Sequence, residues 1–117
     1  MSDQPVLVII SEDPRASHRA NEAMRIALGV VAGENEVSIV LAGAAAHLLD
    51  EDSDGLVDGD DVVKFRASLK KLGIPFHIEQ SAIPEEPGWN ADGHPIAPID
   101  AAGIAALVSR ARRFIVF

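Results

Sequence analysis

The stretch PVLVIIS, Pro5 to Ser11, decides the fold of this chain. It is a short apolar run rich in β-branched residues, and its apolar residues do not alternate with polar ones. A strand of this kind is buried on both faces, as the strands of a parallel sheet are. The stretch therefore predicts a first strand at about residues 6–11, inside an α/β domain.

Helical and strand-like segments alternate along the rest of the chain. After SEDPR, where Asp13 is the predicted helix cap and Pro14 the first helical residue, apolar residues recur at helical spacing as far as AGEN, where Gly33 is available for a left-handed cap. Three more strands are predicted at about residues 36–42, 74–80 and 113–117, separated by helices. Strands alternating with helices predict a parallel sheet with helices on both faces. The pattern fits a single domain over residues 1–117, with a long loop over residues 84–98.

Composition excludes several classes of function. The net charge of −8 opposes binding to nucleic-acid phosphates or anionic lipid, so neither is an expected partner. The chain has no cysteine, which excludes disulfides, thiolate metal sites and thiol nucleophiles. No apolar run approaches the roughly 20 residues of a membrane helix. The N-terminal segment lacks the basic region with which a signal peptide begins. A cytoplasmic location is the expectation.

The order of elements resembles one family of small α/β proteins. The segments RANEAMRIALGVV, LAGAAAHLL with Gly43, VVKFRASLKKLGIPFHI and the terminal ARRFIVF together resemble the DsrE/DsrF-like family of sulfur-relay and related proteins, from Val6 to Phe117. The resemblance implies a flavodoxin-like three-layer fold, with a parallel sheet of four to five strands. It also implies homo-oligomers, often trimers or hexamers.

One residue separates this chain from the sulfur carriers of that family. The resemblance implies a persulfide-bearing cysteine just after the third strand, and the matching position in IEQSAI is Ser81. A serine hydroxyl cannot carry sulfane sulfur, and its alkoxide is not accessible at neutral pH without a base. The family mechanism of sulfur transfer is therefore closed to this chain.

An acidic stretch between the second strand and the following helix has the spacing of a calcium loop. Counting LLDEDSDGLVDGDDVV from Asp50 places acidic residues at positions 1, 3, 5, 9 and 12 of the loop, Gly55 at position 6 and the carbonyl of Leu56 at position 7. Ca²⁺ takes six to eight oxygen ligands, and EF-hand and dockerin loops supply them at these positions. The predicted ligands are Asp50, Asp52, Asp54, Leu56, Asp58 and Asp61. The alternative is a solvated acidic loop in which Asp58 or Asp60 caps the next helix.

A ligand pocket is expected where the parallel strands end. Ligands of open parallel sheets bind beyond the carboxyl ends of the strands. Polar residues and one glycine are predicted at that edge: Ser11, Glu12, Asp13, Gly43 and Ser81. The loop from Trp89 to His94 is a further neighbour, and Ser81 with His94 is a candidate catalytic pair. The GxSxG turn of serine hydrolases and the glycine-rich motifs of nucleotide sites are both absent.

Three readings of function remain open. The first is a DsrE/DsrF-like protein without the sulfur-carrying cysteine, acting as a non-catalytic subunit, scaffold or small-ligand binder and forming a homo-oligomer. The second is a small enzyme that uses Ser81 and His94. The third is a calcium-regulated module in which the 50–61 loop orders the helix after it.

Overall fold

The computed structural model describes residues 6–33, 36–91 and 93–117 and shows a five-stranded, all-parallel sheet with α-helices on both faces. The prediction of an α/β fold with four to five strands is confirmed. The strands are β1 (Val6–Ile10), β2 (Val37–Leu41), β3 (Phe76–Glu79), β4 (Ile96–Ile99) and β5 (Arg113–Val116), in the spatial order β4-β3-β2-β1-β5. The α-helices are α1 (Arg19–Ala32), α2 (Gly59–Lys71) and α3 (Ala101–Arg110). Two 3-10 helices, Gly43–Leu49 and Ser53–Gly55, connect β2 to α2.

The main core lies between one face of the sheet and helices α1 and α2. Its strand residues include Val8, Ile39 and Phe76, which the parallel register places side by side on that face. Met24 from α1 and Leu69 from α2 close the core from above, both fully buried. Leu7, on the opposite face of the sheet, is buried too. The unbroken apolar run in PVLVIIS is therefore explained by burial of β1 on both faces.

The third layer is the single helix α3. It connects β4 at one edge of the sheet to β5 next to β1, and the right-handed crossover rule carries it across the face opposite α1 and α2. Asp100 caps α3 by accepting a hydrogen bond from the Gly103 amide at 2.8 Å. No helix among the described residues is long and apolar enough to cross a membrane.

Three local predictions were wrong. Residues 96–98, predicted as the end of the long loop, belong to strand β4, because an edge strand tolerates Pro98, which cannot donate to a ladder. Helix α1 begins at Arg19 and not after Asp13, because the Asp13 carbonyl accepts from the amides of Ala16 and Ser17 and closes a separate turn. Gly33 follows α1 with a φ of −84°, so it is not a left-handed cap.

Candidate functional site

The carboxyl ends of β3 and β4 form a small crevice beside the first turn of α3. Its volume is about 270 Å³. Ser81 lies in the 3-10 turn that directly follows β3, and Asp100 lies between β4 and α3. Because the two strands are parallel and adjacent, their ends meet at one edge of the sheet. The lining residues are Glu79, Gln80, Ser81, Ile99, Asp100 and Ala101.

The polar groups of this crevice are mainly acceptors. The Glu79 carboxylate accepts a long hydrogen bond of 3.4 Å from the Gly43 amide, which links the ends of β3 and β2. The Asp100 carboxylate is used by the Gly103 amide. The described residues that line the crevice include no His, Lys or Arg that could activate the exposed Ser81 hydroxyl. Two carboxylates and a hydroxyl suit a small polar or cationic ligand better than an anion.

The predicted pocket residues at the end of β1 are engaged elsewhere. The Ser11 hydroxyl donates to the Phe117 carbonyl at 3.1 Å and so ties β1 to the end of β5. Asp13 receives two parallel hydrogen bonds from the Arg15 guanidinium, both 3.0 Å long, and these hold the pKa of Asp13 below its usual value. Glu12 lies 3.6 Å from the Arg19 guanidinium in an exposed ion pair. Of the five predicted pocket residues, only Gly43, after β2, and Ser81, after β3, lie at the carboxyl ends of strands β2 to β4.

Ser81 and His94 lie at opposite ends of β3. The His94 Nε2 is 3.1 Å from the carbonyl of Ile74, which precedes the strand, whereas Ser81 follows it. His94 is buried, and its ring stacks on Phe76 inside the protein. The structure therefore does not bring the proposed catalytic pair together. The His94 end of the Trp89–His94 loop lies at the amino end of β3, where the Phe76 amide donates to the Pro95 carbonyl. Trp89 at its other end donates to the Ala46 carbonyl in the 3-10 helix that follows β2.

The side chains of the acidic loop divide into two groups. The carboxylate oxygens of Asp50 lie 3.0 Å from His47 Nδ1, and Asp52 accepts from the Asp54 amide. Four other acidic residues of the loop lie around a depression of about 400 Å³ at the start of α2, which is lined by Asp54, Leu56, Asp58, Gly59, Asp60 and Asp61. Within the described ranges, no three carboxylate or imidazole groups are placed to share one metal ion. Calcium binding stays a prediction, and it needs Asp50 and Asp52 to turn towards the other carboxylates.

The alternative role of these acidic residues as helix caps is met only in part. Asp58 is the residue before α2, but its side chain makes no capping hydrogen bond and its φ of 55° is left-handed. Asp60 and Asp61 lie in the first turn, where negative charge stabilises the positive end of the helix. Part of the acidic run thus has a local explanation in the helix that it precedes.

Two residues that sequence reasoning missed organise this side of the molecule. Arg66 is buried on α2 and donates 2.9 Å hydrogen bonds to the carbonyls of Leu48 and Asp50, fixing the start of the acidic loop to the helix. Glu79 joins the ends of two strands through Gly43. Neither has a local sequence signal, because Arg66 sits in an otherwise ordinary amphipathic helix and Glu79 follows the apolar–polar alternation of its strand.

The sheet order, the helices on both faces and the polar crevice at the strand ends define a three-layer, flavodoxin-like α/β protein. The crystal structure of the ychN protein from E. coli, a protein of DsrE-like fold, matches it with a TM-score of 0.78 over 97% of this chain and 99% of that one. The two sequences are 13% identical, so the likeness establishes the fold alone. No protein-family model and no curated protein matches the chain. The resemblance to DsrE-like proteins is therefore confirmed at the level of the fold.

Proposed function

We propose that this protein is a non-catalytic, DsrE-like subunit that assembles with further copies of itself. Support for the non-catalytic role comes from the position that follows β3. It holds Ser81 in a chain without cysteine, and the neighbouring charged side chains are the carboxylates of Glu79 and Asp100. Carboxylates beside a serine do not stabilise an alkoxide, and a hydroxyl cannot hold a persulfide.

The observation that carries the proposal is the apolar surface formed by α3 and β5, called here the α3–β5 surface. Every residue of α3, all of which the structure describes, is at least partly exposed, although eight of its ten residues are Ala, Gly, Ile, Leu or Val. On β5, Phe114 is 58% exposed and Val116 is 57% exposed. The register with β1 places both on the face that α3 crosses. Exposed apolar side chains on neighbouring elements are typical of a protein interface.

Charge favours a second copy of the chain as the partner on this surface. The protein carries a net charge of −8, so two copies repel each other over most of their surfaces. Arg110 at the end of α3 and Arg112 just before β5 are exposed next to the α3–β5 surface. No Asp or Glu lies in α3 or β5, so contact between acidic chains costs less here than over the carboxylate-rich surfaces. Burial of Phe114 and Val116 then contributes roughly 25 cal/mol for each Å² of apolar area.

Light scattering coupled to size-exclusion chromatography tests the assembly. We expect the wild-type chain to elute as an oligomer and Phe114→Glu to elute as a monomer, because the charged side chain cannot be buried in an apolar contact. Leu72→Glu is the matched control, since Leu72 is 55% exposed at the end of α2, away from the α3–β5 surface. A wild-type chain with the mass of one subunit at every concentration contradicts the proposal. So does an equal effect of the two substitutions.

A further inference from the structure

The loop before β4 is fastened to the body of the protein at two separate places. At the first, Trp89 Nε1 donates to the Ala46 carbonyl at 2.7 Å, and the Asn90 amide donates to the Leu49 carbonyl at 2.8 Å. The second is His94, whose main chain is clasped by Asn90. The Asn90 side chain accepts from the His94 amide at 2.9 Å and donates to its carbonyl at 3.0 Å. The long loop predicted from its prolines and glycines is thus an anchored segment.

The His94 ring occupies a site built for an uncharged imidazole. It is 2% exposed and stacks on Phe76, with ring centroids 4.4 Å apart and planes 30° apart. Nε2 lies 3.1 Å from the Ile74 carbonyl, which can only accept, so Nε2 carries the proton. Nδ1 is then a bare acceptor. It is buried and has no hydrogen-bond partner among the residues that the structure describes.

Among the described residues, the charged groups that act on this ring are the cations Lys70 and Arg66. Arg66 and Lys70 of α2 line a cavity of about 240 Å³ together with His94. The segment beneath the ring contributes the apolar Ile74 and Phe76, and on the loop itself Asp92 lies outside the described residues. Burial lowers the pKa of His94, and the charges of Lys70 and Arg66 lower it further, against the opposing effect of the bond to Ile74.

We propose that His94 is an acid-sensitive latch, which holds the loop of residues 88–95 in place while its ring is neutral and releases it when Nδ1 takes up a proton from solvent. None of the described residues is hydrogen-bonded to Nδ1, so the added N–H starts without an acceptor, and an unpartnered buried donor is costly. The new positive charge is buried beside Arg66 and Lys70. Both costs vanish when the ring swings into water, and the clasp between Asn90 and His94 then moves with it.

The direction of the pH effect follows from the lowered pKa. Above the ordinary histidine value of about 6.5, the ring is neutral in both the latched and the released states, and the latch is fully stable. As the pH falls below that value, the released ring binds a proton more readily than the latched one. The released state therefore gains stability relative to the latched state as the pH falls, until the lowered pKa of the latched ring is reached. Release is expected on the acid side of neutrality, without unfolding of the sheet.

The single tryptophan of the chain reports on this loop directly. We expect Trp89 emission to move to longer wavelength between about pH 8 and about pH 4.5 while far-ultraviolet circular dichroism stays constant. His94→Phe keeps a buried, stacked ring without a titrating nitrogen, so its emission should not change with pH. His77→Gln is the matched control and should behave like wild type. His77 lies on β3, and burial lowers its pKa as well.

Three outcomes would overturn the latch. They are wild-type emission that is constant to about pH 4.5, a transition that persists in His94→Phe, and loss of circular dichroism in step with the emission change. If His94→Phe does not fold, proton NMR titration of the wild-type histidines replaces it. The His94 resonance must then titrate with the midpoint of the Trp89 transition, and a midpoint that follows another histidine refutes the inference.

Discussion

Arg66 shows how much one side chain organises in this protein. It lies in the middle of α2, is 5% exposed, and reaches two carbonyls at the end of the 3-10 helix that follows β2. Those carbonyls lie at the end of a helical segment, where no later backbone amide of the segment can donate to them. The guanidinium satisfies them and fixes the acidic loop against α2, and the same side chain lines the cavity next to His94.

Removal of this side chain should be costly. We expect Arg66→Met to lower the free energy of unfolding by about 2–4 kcal/mol, because the Leu48 and Asp50 carbonyls lose a charged donor. The free energy of unfolding of Arg66→Lys should lie between those of the wild type and Arg66→Met, since one ammonium cannot reproduce the forked geometry of a guanidinium. Urea unfolding followed by circular dichroism measures the difference. An Arg66→Met protein within about 0.5 kcal/mol of wild type would mean that other groups satisfy the carbonyls.

At the scale of elements, the sequence predicted best where the apolar pattern is strong. The buried strand β1 and the amphipathic helix α2 follow directly from their apolar patterns. The prediction missed β4, because a four-residue edge strand containing Pro98 carries almost no pattern. The site was predicted only in part for a similar reason. Gly43 and Ser81 follow from the ends of strands, whereas Glu79 is recognised only when the two strands are seen together.

Two helical glycines should respond in opposite directions to the same change. A Cβ atom on Gly103 in α3 would lie 2.5 Å from Ile99 Cγ1, so Gly103→Ala should destabilise the protein by about 1–3 kcal/mol. No atom of the described residues lies within 4 Å of the corresponding position on Gly29 in α1, so Gly29→Ala should stabilise the protein by about 0.5–1 kcal/mol. Thermal unfolding compares the two. If both substitutions stabilise the protein, α3 can shift away from β4 to make room for the added methyl group.

At the scale of the whole molecule, the negative charge is unevenly distributed. The twelve residues from Asp50 to Asp61 hold seven of the 18 acidic side chains of the chain. Such a concentration attracts cations whether or not a specific site forms, and salt should stabilise the protein by screening the repulsion. Specific calcium binding must therefore be separated from general attraction.

Titration calorimetry makes that separation. The predicted loop should release or absorb heat with Ca²⁺ at concentrations up to the order of millimolar, and Asp54→Asn with Asp58→Asn should abolish the signal. Glu85→Gln with Glu86→Gln removes the same charge outside the loop and should leave the signal unchanged. Absence of heat in the wild type would leave the segment as an acidic connection whose first-turn carboxylates serve α2.

The two outer strands of the sheet differ in a way that limits how copies of this chain can join. Pro98 on β4 has no amide hydrogen, so that margin is poorly suited to receive another strand. The opposite margin, β5, has no proline and ends in exposed apolar residues. Because only the β5 edge can pair with another strand, the sheet can be extended once, by the β5 edge of a second molecule related to the first by a two-fold axis. Growth by strand addition would then stop at a closed pair and not proceed to an endless fibre.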